Sequence, residues 1–163
     1  MTIRDAREAD LPAIVEIFNA TVPTRMSTAV LEPVSVDERL EWFHEHSPDR
    51  HPLWVLEIDD VIAGWLSLHS FLTRCAYRGT VEVSVYIHEK FRRCGVARTL
   101  LEHAIKEAPR LEVTAMTGLI LGHNAASLAL FATLGFERWG VLPRVTRLNG
   151  VSRDIVIVGR HLP

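Results

Sequence analysis

Thr80-Val81-Glu82-Val83-Ser84-Val85-Tyr86-Ile87, followed after four residues by Arg92-Arg93-Cys94-Gly95-Val96-Ala97-Arg98, is the stretch on which the fold turns. Its first part alternates strictly, with Val81, Val83, Val85 and Ile87 on one face and Thr80, Glu82, Ser84 and Tyr86 on the other. That is the period of a β-strand with two different faces. Its second part opens a helix: from Val96 to Glu107 the residues Val96, Leu100, Leu101, Ala104 and Ile105 recur at helical spacing, and Pro109 helps to stop the run. A helix start leaves N–H groups unpaired and carries partial positive charge, so the junction is a candidate anion site. Gly95 and Ala97 put little side chain in a ligand's way, and Arg92, Arg93 and Arg98 add local positive charge. The same residues also describe a solvated charged loop, and the Gly-x-x-x-x-Gly-Lys of an ATP-binding P-loop is absent.

Upstream, the apolar runs Leu53 to Ile58 and Val61 to Leu68 flank Asp59-Asp60 and predict a hairpin, which extends into a meander with the 80–87 strand. Two helices precede it. Asp10 is placed to cap the first, whose Leu11, Ile14, Val15 and Phe18 share a face. Ser35-Val36-Asp37-Glu38 matches a capping box ahead of Leu40, Trp42 and Phe43. A short strand comes before both helices, and the polar loop between them is placed to reach a ligand. Downstream, Met116 to Leu121 predicts a strand, and a helix from Ala125 ends near Gly135. Val141 to Leu148 and Val151 to Val158 then flank Asn149-Gly150, a strong hairpin signal. The order gives an α+β arrangement with one strand–helix–strand crossover.

At 163 residues the chain predicts one compact domain spanning 1–163. Its net charge of -2 supplies no global basic field, so nucleic acid is not an expected partner and any anion site is local. Cys75 and Cys94 form no metal or redox motif, which points to a reducing compartment. The histidines His44, His46 and His51 cluster without ligand spacing, so no metal is expected. The N-terminus lacks an apolar signal core and no apolar run reaches spanning length. The expectation is a cytoplasmic protein without a membrane partner.

Arg92-Arg93-Cys94-Gly95-Val96-Ala97 resembles the Arg/Gln-x-x-Gly-x-Gly/Ala signature with which GNAT-superfamily N-acetyltransferases hold the pyrophosphate of coenzyme A. The 80–87 strand is similar to the Thr-x-Glu-x-Ser/Thr-Val-Tyr-Val segment of phosphinothricin and related amino-acid N-acetyltransferases. Asn124-Ala125-Ala126-Ser127, Leu134-Gly135-Phe136, Ile17-Phe18-Asn19 and Gly64 resemble further elements of that branch, in the same order along nearly the whole chain. The resemblance implies a GNAT-like fold, a twisted, mixed and mostly antiparallel sheet flanked by helices. It implies acetyl-CoA as co-substrate and a primary amine of a small amino acid or analogue as acceptor. It also implies that Val85, Tyr86 and Ile87 flank the pantetheine arm, with the backbones of Val85 and Ile87 bonding it. Arg92, Arg93, Cys94, Gly95, Val96, Ala97 and Arg98 would hold the phosphates, Asn124 would contact the cofactor or the substrate region, and homodimers are common in the branch. An N-cap of the following helix is a compatible role for Asn124.

Acetyl transfer to an amine needs a proton acceptor, and Glu82, on the face opposite the valines and matching the family glutamate, is the candidate base, acting directly or through water. A solvated strand glutamate is the bland alternative. The Val85 N–H is placed to stabilise the thioester oxygen as charge develops. Many GNAT enzymes protonate the leaving thiolate from a tyrosine that is Phe131 here, which leaves a water or Tyr86 to serve. Arg74, Cys75, Ala76 and Tyr77 occupy the place of a family segment near the substrate. Met26, Trp42, Phe43 and Trp65 are candidates for an apolar pocket, with core packing the expected job of at least two. Two other readings share these features: a protein N-terminal acetyltransferase and a non-catalytic acetyl-CoA sensor.

Overall fold

The computed structural model describes residues 1–163. In chain order the elements are β1 (Thr2–Asp5), α1 (Leu11–Thr21), α2 (Val36–His44), β2 (Leu53–Ile58), β3 (Val61–Ser70), β4 (Thr80–Ile87), α3 (Val96–Glu107), β5 (Ala115–Leu121), α4 (Ala125–Thr133), β6 (Glu137–Leu148) and β7 (Val151–His161). This is the order expected from the sequence. The seven strands form one sheet in the order β1-β2-β3-β4-β5-β7-β6, with β4–β5 its only parallel pair.

The alternation of β4 is explained by what lies on each side. Val81 and Val83 are buried with Leu100, Leu101 and Ala104 of α3 and Phe131 of α4. On the other face, Tyr86 packs against a second core of Leu11, Ile14, Val15 and Phe18 from α1 with Val55 and Trp65 from the sheet. The Trp65 indole N–H donates to the Ile14 carbonyl at 3.1 Å, so even this large side chain leaves no unpaired polar atom.

Local chemistry sets the boundaries. Ser35 Oγ accepts from the Glu38 N–H while Glu38 accepts from the Ser35 N–H, the reciprocal box expected for α2. Asp10 departs from its expected role: its carboxylate makes no cap bond to α1. It pairs instead with Arg4 and accepts from the Arg7 N–H, because the guanidinium is a stronger partner than a neutral amide. Asp59 (φ 50°) and Asp60 (φ 62°) both adopt left-handed backbone, as do Asn149 (φ 50°) and Gly150 (φ 79°). Two left-handed residues match a hairpin turn to the strand twist.

The closing hairpin is longer than expected because β6 is irregular between Arg138 and Gly140 and between Leu142 and Thr146. These breaks hide its period in the sequence. Gly64 of β3 lets β4 and α3 close up: a Cβ there would lie 2.7 Å from Ile87 Cδ1, 2.9 Å from the Tyr86 carbonyl and 3.0 Å from Val96 Cγ1. No helix is long and apolar enough to cross a membrane.

Candidate active site

β4 and β5 pair through only three positions, Thr80↔Ala115, Val81↔Met116 and Glu82↔Thr117. Beyond Glu82 they diverge, whereas β4 stays paired with β3 as far as Ile87↔Gly64. Alternate residues of a strand turn their amides to opposite sides. The Thr80 carbonyl accepts from Phe71 and the His88 N–H donates to Ala63, both on the β3 side, while the Val81 carbonyl accepts from the Thr117 hydroxyl on the β5 side. By the same alternation Val85 and Ile87 turn their N–H and C=O groups into the gap, where no strand meets them. The sheet therefore holds an open seam whose closed end is Glu82.

A cleft follows this seam in two parts. The outer part, about 570 Å³, runs between Ile87, Arg92, Arg93 and the start of α3 on one side and Ala126 and Leu130 of α4 on the other. The inner part, about 70 Å³, lies between Val83 and Ser84 of β4, Gly118 to Leu121 of β5, and Phe131. Such an inner volume has room for about two water-sized groups, enough for an acetyl group. Met26, Ser27, Val85, Tyr86, Asn124 and Ser127 line both parts.

The outer end fits a phosphate group. Arg93 (φ 63°) and Gly95 (φ 81°) are left-handed and turn the chain into α3, and nothing lies within 4 Å of the place a Gly95 Cβ would take. Thr99 is the first residue of the helix to bond back, its N–H to the Gly95 carbonyl at 2.9 Å. The N–H groups of Val96, Ala97 and Arg98 are the orphan donors of this helix start. Not every residue of the loop points its side chain there. Arg98 reaches Thr133 at 2.9 Å and Glu102 at 3.6 Å, and Cys94 is exposed with its thiol against the Arg92 carbonyl. These two contribute backbone to the junction but no side chain to the cleft wall.

Asn124 fills the cap role and ties a distant loop to it. Its Oδ1 caps α4 by accepting from the Ser127 N–H at 3.1 Å, and its Nδ2 donates to the Met26 carbonyl at 2.8 Å. His123 Nε2 lies 2.8 Å from the Arg25 carbonyl. The α1–α2 loop is thereby strapped across the cleft, which it lines through Met26 and Ser27.

Glu82 is half-buried, makes no ion pair or hydrogen bond, and shares its sheet face with Ser84 and Tyr86. Burial pushes its carboxyl above the usual value. No cation opposes that shift: His69, opposite it on β3, is driven down to about 4 by burial and by His46 and His51, so it is neutral near pH 7. His69 Nε2 lies 3.4 Å from Ser84 Oγ. Tyr86 is held between Phe18 and Trp65, ring centroids 5.2 and 4.7 Å away, and burial raises its hydroxyl pKa.

The expected substrate segment is not brought against the cleft. Cys75–Tyr77 form an exposed 3-10 turn just ahead of β4, with Tyr77 edge-on to Phe71, and none of Arg74 to Tyr77 lines either part. Of the four apolar candidates, Met26 lines the cleft, while Trp65 is core and Trp42 and Phe43 pack against it. Ser127, quoted in the sequence only as part of a motif, emerges as a wall residue of both parts. Its signal was its place three residues after the Asn124 cap. No group of three or more His, Cys, Asp or Glu side chains is arranged to hold a metal ion.

Residues 11–136 match the Acetyltransferase (GNAT) family. The chain is similar to YwnH of Bacillus subtilis, provisionally named a phosphinothricin acetyltransferase, with 43% identity over 99% of each chain. It is 36% identical to the L-methionine sulfoximine/L-methionine sulfone acetyltransferase of Salmonella typhimurium, over 99% of this chain and 95% of that one. Among solved structures it resembles a phosphinothricin acetyltransferase from Sinorhizobium meliloti in complex with AcCoA. The TM-score is 0.92 and the identity 30%, over 99% of this chain and 88% of the other. It also resembles a ribosomal-protein-alanine N-acetyltransferase from Brucella melitensis, with TM-score 0.94 and 33% identity over 99% and 100%. With a forked sheet, an exposed helix start and a family match over most of its length, the chain belongs to the GNAT family of acetyltransferases.

Proposed function

We propose that this enzyme transfers acetyl from acetyl-CoA to the primary amine of a small amino acid or analogue of the phosphinothricin or methionine sulfoximine kind. It acts in the cytoplasm as one catalytic domain over residues 1–163. The observation that carries the reading is the open seam ending at Glu82, a carboxylate with no partner and a raised pKa that lines neither part of the cleft but directly precedes Val83 and Ser84 of its inner wall.

Acetyl-CoA, when bound, supplies the acetyl group as a thioester. The N–H groups of Val96, Ala97 and Arg98 hold its phosphates with Arg92 and Arg93, and Ile87 bonds the arm as an added strand would. The Val85 N–H donates to the acetyl oxygen as it becomes negative. Glu82 takes a proton from the acceptor ammonium, directly or through water, and its raised pKa brings it closer to that task than an ordinary carboxylate. Arg74 to Tyr77 lie off the cleft wall in the free protein, and a role in holding the rest of the acceptor requires their exposed turn to move toward it.

The likeness to the ribosomal-protein-alanine enzyme favours a peptide N-terminus as second reading. Purified protein with acetyl-CoA and a panel of amines, followed by free thiol, separates the two. Release with phosphinothricin, methionine sulfoximine or methionine is the expected result. Release with an alanyl peptide and none of the amino acids would overturn the small-acceptor reading.

A second copy of the chain is the proposed partner. Strand β6 is a sheet edge, and Trp139, Val141, Leu142 and Val145 are exposed along it. An apolar edge of this kind is stabilised by pairing. Sedimentation of the protein at about twice the 18.4 kDa chain mass is expected, and a monomer would refute it.

A further inference from the structure

We propose that the Ser127 hydroxyl is the group that hydrogen-bonds and protonates the departing sulfur, the task left vacant by Phe131. The inference rests on the cleft being the acetyl-CoA site.

The sulfur must lie where the narrow inner cleft, sized for the acetyl group, meets the outer cleft that takes the arm. The residues lining both parts mark that junction, and four of them carry polar side chains: Ser27, Tyr86, Asn124 and Ser127. Asn124 is committed at both ends, to the Ser127 N–H and the Met26 carbonyl. Tyr86 is clamped between Phe18 and Trp65, and its hydroxyl is engaged by the Thr28 side chain. Ser27 is exposed on the α1–α2 loop. Ser127 is half-buried, its hydroxyl has no hydrogen-bond partner in the protein, and α4 fixes its backbone through the Asn124 cap. Phe131 lies one helical turn further along the same face, 4% exposed, against Gly118. Its ring is an apolar wall of the inner part with no proton to give, which leaves Ser127 the nearer donor on this helix face.

The protons balance. The acceptor ammonium gives up two on becoming an amide. Glu82 takes them one after the other and returns them to solvent. As the carbon–sulfur bond breaks and the electron pair leaves with sulfur, Ser127 passes its hydroxyl proton to the sulfur and takes one from a cleft water. The net change is one N–C bond formed, one C–S bond broken and one proton released, with no oxidation or reduction.

The test reads the thiol directly. Coenzyme A bound to the wild-type protein is titrated by thiolate absorbance, alongside Ser127→Ala and Ser127→Thr, and single-turnover acetyl transfer is timed for each. The expected result is a bound-thiol pKa about one unit or more higher in Ser127→Ala than in wild type, because a hydrogen bond to the charged form is lost. A tenfold or greater fall in the single-turnover rate accompanies it, and Ser127→Thr, which keeps the hydroxyl, stays near wild type in both. An unchanged bound-thiol pKa in Ser127→Ala overturns the proposal, and so does a single-turnover rate within twofold of wild type. Wild-type protein that neither binds coenzyme A nor releases thiol overturns this inference and the acetyl-CoA reading together.

Discussion

Glu82→Gln lowers single-turnover acetyl transfer by about 10²- to 10⁴-fold, the usual contribution of a positioned base, and leaves acetyl-CoA affinity nearly unchanged. The two effects separate because the proposed cofactor contacts are backbone groups of Val85, Ile87 and residues 96–98, none of which the substitution touches. In wild type, kcat/KM falls as pH drops through the Glu82 pKa, and that limb is displaced upward from an exposed glutamate's because burial disfavours the charge. The limb disappears in the variant.

The same shift makes a stability statement of opposite sign to that of a salt-bridged carboxylate. A folded pKa above the unfolded one contributes stability at pH below the unfolded value, and the contribution is lost as pH rises through the folded value. Near pH 7 the ionised Glu82 is therefore a cost to the fold, and Glu82→Gln melts no lower than wild type. A large loss of rate without loss of stability distinguishes a carboxylate kept for chemistry from one kept for packing. A variant with wild-type turnover across the pH range would remove Glu82 from the mechanism.

Much of this was legible in the sequence, for reasons that differ by residue. The 80–87 alternation is visible because two chemically different layers cover β4, and Ser35 and Glu38 announce α2 because both halves of the box lie within four residues. Asn124 is legible as a cap for the same local reason. What depends on distant partners was hidden. The divergence of β4 from β5 after Glu82 is a property of pairing across 35 residues, and no local pattern records it. Arg98 looked like part of a cationic cluster, yet Thr133 and Glu102 draw it away. Asp10 looked like a cap and is claimed by Arg4. The substrate segment 74–77 is placed near the right end of β4 but off the cleft wall, because its short turn keeps it exposed. Ser127 gains its meaning only once the two parts of the cleft are seen to meet beside it.

The second large effect concerns the seam itself. In the free protein the N–H groups of Val85 and Ile87 face the gap without a strand partner, and those of Val96, Ala97 and Arg98 are the unpaired first turn of α3. An acetyl donor lying along the seam would occlude all five. A ligand at 100 times its dissociation constant leaves only about one molecule in a hundred free, so exchange at occluded amides slows by up to roughly 100-fold. Elsewhere the protein offers a competing polar cavity at the other end of the sheet, lined by Arg50, Arg78 and Arg110. Amide hydrogen exchange resolved by residue, with and without saturating acetyl-CoA, decides between the two places. Slowing at Val85, Ile87 and the start of α3, with none around Arg50, Arg78 and Arg110, is the predicted result. Slowing confined to the arginine cavity, with the seam exchanging as in the free protein, would contradict the account.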